Sequence, residues 1–202
     1  MARVQPLHLG LLASLALILA WSGYHPRDAF TWLLETLPAF IAVALLAAVY
    51  PRFRFTTLVY VLIWLHAVVL AVGGHYTYAE MPLFNWLRDA AGLGRNHYDR
   101  VGHVFQGFVP AMVAREILLR RSPLRRGKWL FFLVTCVALA ISAFYELIEW
   151  WVAVASGSAA TAFLATQGDV WDTQWDMFLA LSGALASQLT LARWHDRLLA
   201  RL

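Results

Sequence analysis

Apolar residues run along this chain in six long blocks, at 7–24, 31–50, 57–74, 99–119, 129–151 and 170–192, separated by short polar breaks. Each block is close to the roughly 17–25 residues that a helix needs to cross the hydrocarbon core of a bilayer. None has the two-residue alternation of an outer-membrane strand. The pattern predicts an all-α polytopic membrane bundle of six spans in a single domain over 1–202. The sixth block is the least apolar at its start, where its first turn is acidic. Between the third and fourth blocks, "MPLFNWLRDAAGL" sets Leu83, Phe84, Trp86, Leu87 and Ala90 at near-helical intervals. A short helix over 82–92, lying in the membrane interface with Trp86 at headgroup level, is the expectation. The stretch 152–168 is rich in Ala, Ser, Gly and Thr and is expected to dip back towards the bilayer. No internal repeat is visible.

Composition agrees with the pattern. Of 202 residues, 61% are hydrophobic and only 14% are charged, against roughly 25% charged in soluble domains; the mean hydropathy is +0.61. The sequence pI of about 9.6 does not point to nucleic acid, because the basic residues sit in the breaks, where membrane topology accounts for them. With the N-terminus inside, twelve Lys and Arg fall on the inner face, among them Arg3, Arg115, Arg120 and Arg193, and four on the outer face: Arg27, Arg88, Arg95 and Arg100. Both termini are therefore expected in the cytoplasm, and the 120–128 link is expected to anchor to lipid headgroups. The first block lacks a convincing cleavage site and is read as an uncleaved span. Cys136 is the single cysteine, so no internal disulfide or Cys-based metal cage can form; it is expected to pack within the bundle.

The acids change the picture. On this topology all but Glu116 and Asp196 lie at or just below the outer face. Helical spacing gathers them further. Asp99 and His103 are four apart, and Gln106 and Pro110 continue the same stripe. Glu146 and Glu149 are three apart in "FYELIEWW". Asp169, Asp172 and Asp176, in "QGDVWDTQWDMF", fall on one helical face. At about 1.5 Å of rise per residue, His103, Glu146 and Asp176 come to one depth, roughly 6–10 Å below the outer surface. Crowded carboxylates share protons or hold a cation, and carboxylates with imidazole suit Zn, Mn or Fe. Asp99, His103, Glu146, Glu149, Asp172, Asp176 and His75 are thus the candidate ligands of a divalent metal ion. Asp99, His103, Glu146, Glu149 and Asp176 are the candidates for acid–base work, and Tyr76, Tyr78 and Arg100 for substrate contact. Glu35 is expected either to face the same cavity or to point elsewhere. A hydrogen-bonded polar plug is the structural alternative.

Other residues carry blander expectations. His66, in mid-span, reads as a buried core histidine before it reads as a proton relay. Pro110 is expected to kink its helix, and Gly102, Gly107 and Gly183 to permit close helix packing.

The stretches "GGHYTYAEMPLFNWLRD", "RNHYDRVGHVFQGFVPA", "REILLRRSPLRRG", "SAFYELIEWW" and "TQGDVWDTQWDMF" together resemble the YjdF-type bacterial inner-membrane proteins. The resemblance covers nearly the whole chain. It implies a helical bundle in the inner membrane and no particular reaction, since that family is one of unknown function. A more distant similarity is to the VanZ-like membrane proteins, over the last three spans. Asp99 and His103 match that pattern's Asp-x-x-x-His, Glu146 or Glu149 its second acid, and Asp176 with Gly183 its last helix. Ala180 stands where that pattern has Asn. This similarity implies an envelope role.

The resulting expectation is an inner-membrane protein in contact with membrane lipids. It carries an outward-facing acidic and histidine site for a divalent cation and an envelope lipid or lipid-linked headgroup. Were it an enzyme, metal-assisted hydrolysis or group transfer would be the chemistry. The alternative is a non-enzymatic binding or transport protein whose polar cluster is structural. Transport is disfavoured because only His66 lies near the midplane and no repeat is present.

Overall fold

The computed structural model describes residues 5–202; Arg3, counted above on the inner face, lies outside them. The described chain is all-helical, with α1 Pro6–Gly23, α2 Ala29–Val49, α3 Thr57–Tyr76, α4 Pro82–Ala91, α5 Tyr98–Arg121 and α6 Lys128–Ser156. A 3₁₀ turn Gly157–Ala160, a short α7 Thr161–Leu164 and α8 Asp172–Leu199 complete it. Local chemistry sets several of these ends. Pro6 and Pro82 open α1 and α4, where a missing N–H costs nothing. The Asp28 side chain accepts from Thr31 N at 2.7 Å to cap α2. Gly92, at φ +62°, closes α4.

α1, α2, α3 and α6 are each long and apolar enough to cross a membrane. α5 and α8, at 24 and 28 residues, are long enough, but their ends are heavily charged. They form the centre of the bundle and pack on each other more extensively than any other pair. Two glycines set their spacing. A Cβ on Gly107 would run into the Ala180 backbone, and one on Gly183 into the Val104 carbonyl, so the two backbones cross in direct contact. α3 joins α5 to a lobe made of α1 and α2, and α6 closes on α5 and α8 from the other side.

Apolar side chains both fill the bundle and coat it. Val59, Met112, Val134 and Ala184 are fully buried. Leu17, Val154 and Leu189 are more than 70% exposed, as expected of a surface solvated by acyl chains rather than water. Cys136 belongs to that outer coat and does not pack inside. The reason is register: its neighbours Val134 and Ala138 take the buried face of α6. α6 continues past the 129–151 block to Ser156, and α8 starts at Asp172 and runs past the 170–192 block to Leu199. The 152–168 stretch is accordingly part helix, part 3₁₀ turn.

A second polar centre lies at the opposite end. The Glu116 carboxylate, fully buried, accepts from Thr56 N at 2.9 Å, Thr56 Oγ1 at 2.7 Å, Arg120 at 2.7 Å and His195 Nε2 at 2.9 Å. Arg115, a donor only, reaches His195 Nδ1 at 2.9 Å, which fixes His195 as the neutral tautomer protonated on Nε2. Arg115 also pairs with Asp196 at 2.8 Å. Nothing in the spacing of single helices announces this network. Its members come from three separate segments.

Candidate functional site

α5, α6 and α8 bring Asp99, His103, Glu146, Glu149 and Asp176 together near the ends of the helices that carry α4. His103 is the hub. Its Nε2 lies 3.4 Å from Asp99 Oδ1 and 3.7 Å from Asp176 Oδ1, and its Nδ1 lies 3.9 Å from Glu146 Oε1. Gln106, one turn further along α5, places Oε1 2.8 Å from Nδ1. An amide oxygen only accepts, so Nδ1 carries the hydrogen. In the neutral ring the Nε2 lone pair then points towards Asp99 and Asp176. Single ligand atoms of Asp99, His103 and Asp176 all fall within 4.8 Å of one another, as do those of His103, Glu146 and Glu149.

The cluster is enclosed and under-satisfied. Asp99, His103, Glu146 and Asp176 are all buried. Asp176 Oδ1 and Glu146 Oε1 have no hydrogen-bond partner, and one turn before Glu146 the buried Ser142 Oγ also lacks one. A buried acceptor without a donor costs about 1–3 kcal/mol, more when charged.

Several expected residues stand elsewhere. Asp172 is not a member of the cluster, because Arg95 takes it. The guanidinium donates to Asp172 Oδ1 at 2.5 Å and lies 3.5 Å from both Asp99 and Asp169. Burial opposes the charge on Arg95, yet the hydrogen bond and the surrounding carboxylates outweigh it and hold its pKa above the usual value. Asp169 precedes α8, so it does not share a helical face with Asp172 and Asp176. It pairs with Arg100 at 3.0 Å. Arg100 lies at the rim, with Trp175 beneath it at 5.2 Å. His75 turns the other way, to α1: Nδ1 donates to the Ser22 carbonyl at 2.9 Å and the ring stacks on Trp21 at 4.7 Å. Tyr76 follows it, packed edge-on to His75 at 4.6 Å.

Tyr78 does reach the site. Thr77 and Tyr78 both adopt left-handed backbone angles, φ 59° and 51°, which is uncommon for residues with a Cβ. That turn drives the Tyr78 ring between Gly73 and Gly102, where a Cβ on Gly102 would lie 3.0 Å from it. Its hydroxyl hydrogen-bonds Glu35, and burial, followed by the Glu35 charge, pushes the phenol well above its ordinary pKa. Glu35 therefore faces the cluster, brought there from α2.

Below these groups a cavity of about 570 Å³ runs along the bundle between α2 and α6, floored by α3 and α5. Glu35, Tyr78, Asp99, His103 and Glu149 line one end, and His66 lies partway along. His66 is thus a wall residue of a cavity and not packed core. Tyr145, which also lines the cavity with an unpartnered hydroxyl, escaped the sequence reading. Its only signal there is its place beside Glu146.

Residues 7–197 match the family described as "Predicted membrane protein (DUF2238)". The chain belongs to that family. It is 54% identical to the inner membrane protein YjdF of Escherichia coli (strain K12) over 199 residues, covering 98% of this chain and 95% of that one. No solved structure matches it. The YjdF-type resemblance is thereby a family relationship, and with the apolar helices it makes this a multi-pass protein of the bacterial inner membrane. Similarity to the VanZ-like proteins is not shown by these matches.

Proposed function

We propose that Asp99, His103 and Asp176 hold a divalent cation, and that this cation presents the site to the phosphate-bearing head of an envelope lipid. The observation that carries the reading is the set of buried acceptors without donors, Asp176 Oδ1 and Glu146 Oε1, arranged around one imidazole. Arg95 is shared among Asp172, Asp169 and Asp99, so it leaves Asp176, Glu146 and Glu149 short of positive charge. A cation supplies what they lack, and a mixed carboxylate–imidazole set suits Zn, Mn or Fe. The Gln106 contact orients the ring for ligation through Nε2. Glu146 and Glu149 stand on the Nδ1 side, placed for proton transfer. If the protein is an enzyme, the chemistry such a site supports is metal-assisted hydrolysis or group transfer at a phosphoryl or acyl centre. The proposed topology has six spans and both termini in the cytoplasm, which sets the cluster beneath the outer surface.

The test is metal content and thermal stability, with and without chelator, of wild type and Asp176→Asn. The Asn side chain keeps shape and hydrogen-bonding capacity but removes the charge. On this reading chelator lowers the wild-type melting point, and the variant binds metal weakly and ignores chelator. The competing reading is a closed polar plug, and the Arg95–Asp99 pair at 3.5 Å is the contact that favours it. A plug gives a wild type indifferent to chelator and a variant that is simply less stable.

A further inference from the structure

The cavity continues away from the polar cluster, and its shape identifies what enters it. On α2 its lining runs from Glu35 to Val49, fifteen residues and about 21 Å of helix. That is longer than half of the ~30 Å hydrocarbon core. Below the polar end the walls are almost wholly aliphatic or aromatic. Ala39, Phe55, Ala67 and Val109, which line it, are buried. Leu45, Ile117, Val137 and Ile141 line the same space yet are exposed. They form a rim, and the slot therefore opens sideways between α2 and α6, towards the surrounding lipid. Its volume lies within the ~300–1,000 Å³ usual for small-ligand pockets.

We propose that this slot takes one acyl chain of a glycerophospholipid, entering laterally between α2 and α6, with the lipid's head drawn to the Asp99–His103–Asp176 end. The proposal deepens the function given above and rests on it for the placing of the head. Charge complementarity selects the orientation: the polar end is rich in carboxylates and needs a cation between it and a phosphate, while the remaining length offers mostly apolar contact. A sideways mouth towards lipid disfavours a water-soluble substrate. His66, partway down the slot and 6.4 Å from the Phe105 ring, lines the path of the chain beyond the head and adds a polar group there, as does Gln106.

The experiment uses the full-length protein in vesicles of phosphatidylethanolamine and phosphatidylglycerol, doped with phosphatidylglycerol carrying a diazirine midway along one acyl chain. After photolysis, adducts are mapped by mass spectrometry. Adducts are expected on Ala42, Leu46, Ile63 and Val109, besides those on outward residues such as Leu17 and Leu189. Ala42→Trp, which fills the slot from its α2 wall, should reduce the slot adducts roughly tenfold, as for any substantial loss of affinity, and leave the outward ones unchanged. A wild-type map with outward adducts alone overturns the proposal whether or not the variant folds. So does a folded Ala42→Trp with undiminished slot adducts. Adducts confined to a co-purified protein's helix in the slot would assign it to a protein partner and also overturn it. Repeating the map with chelator separates the two readings. Slot adducts with no metal bound would keep the acyl chain and discard the cation, and bound metal without slot adducts would do the reverse.

Discussion

Arg95 offers a direct measure of how the outer end of the bundle is held. Replacing it by Met keeps a long unbranched side chain and deletes the charge. The Arg95 and Asp172 side chains are 9% and 8% exposed, so Arg95→Met strands a carboxylate that water reaches poorly, and it also removes the nearest cation from Asp99. Breaking a buried pair by deleting one partner costs about 3–5 kcal/mol. For a chain of this size each kcal/mol moves the melting point by about 2–4 °C, so a fall of roughly 6–20 °C follows. The assay is thermal unfolding in detergent, with Arg88→Met as the control. Arg88 pairs with Asp89 at 2.8 Å, but the two are 34% and 68% exposed, and a pair so open to solvent contributes little. Adding Asp172→Asn to Arg95→Met should restore part of the loss, with a coupling of about 0.5–3 kcal/mol. If Arg95→Met melts where Arg88→Met does, or if the double variant shows no coupling, the guanidinium is not the clasp described here.

Two more outcomes can be checked alongside. Gly107→Val forces a side chain into the Ala180 backbone and should cost at least the ~1–3 kcal/mol typical of overpacking, whereas Gly10→Ala, where a Cβ meets nothing within 4 Å, should be neutral or stabilising by up to about 1 kcal/mol; equal melting points for the two would contradict the close α5–α8 crossing. In a Cys136→Ser background, an impermeant thiol reagent added outside should label Ala91→Cys and spare Arg125→Cys, and the reverse pattern would invert the proposed topology.

Much of the fold is legible in the sequence because membrane helices announce themselves by length and apolar content. The site is legible to the extent that it depends on single-helix periodicity. Asp99 with His103, and Glu146 with Glu149, share faces by their spacing, and the structure brings those faces together with Asp176. Periodicity does not say which neighbour a face meets. His75 sits at the proper end of α3 but one face away, and α1 receives it. Asp172 has the proper register, yet Arg95 lies nearer, on the segment leading into α5. Glu35 could be placed only once α2 was known to flank the cavity. Cys136 went astray for a related reason: in a membrane an apolar face is as much at home against lipid as against protein, so hydrophobicity does not distinguish inside from outside.

The Glu116 knot also has a consequence in time. The partners of this carboxylate are Thr56, just ahead of α3, Arg120 on its own helix, and His195 on α8, 79 residues further along. At the roughly 5–20 residues per second of protein synthesis, about 4–16 s separate the appearance of Glu116 from that of His195. For that interval the nascent α5 carries an acid whose pocket is still missing a wall. The N-terminal helices can enter the bilayer as they emerge, but this end of the bundle cannot close until the last helix arrives, so a chain stalled before His195 carries a carboxylate short of one partner of the finished network.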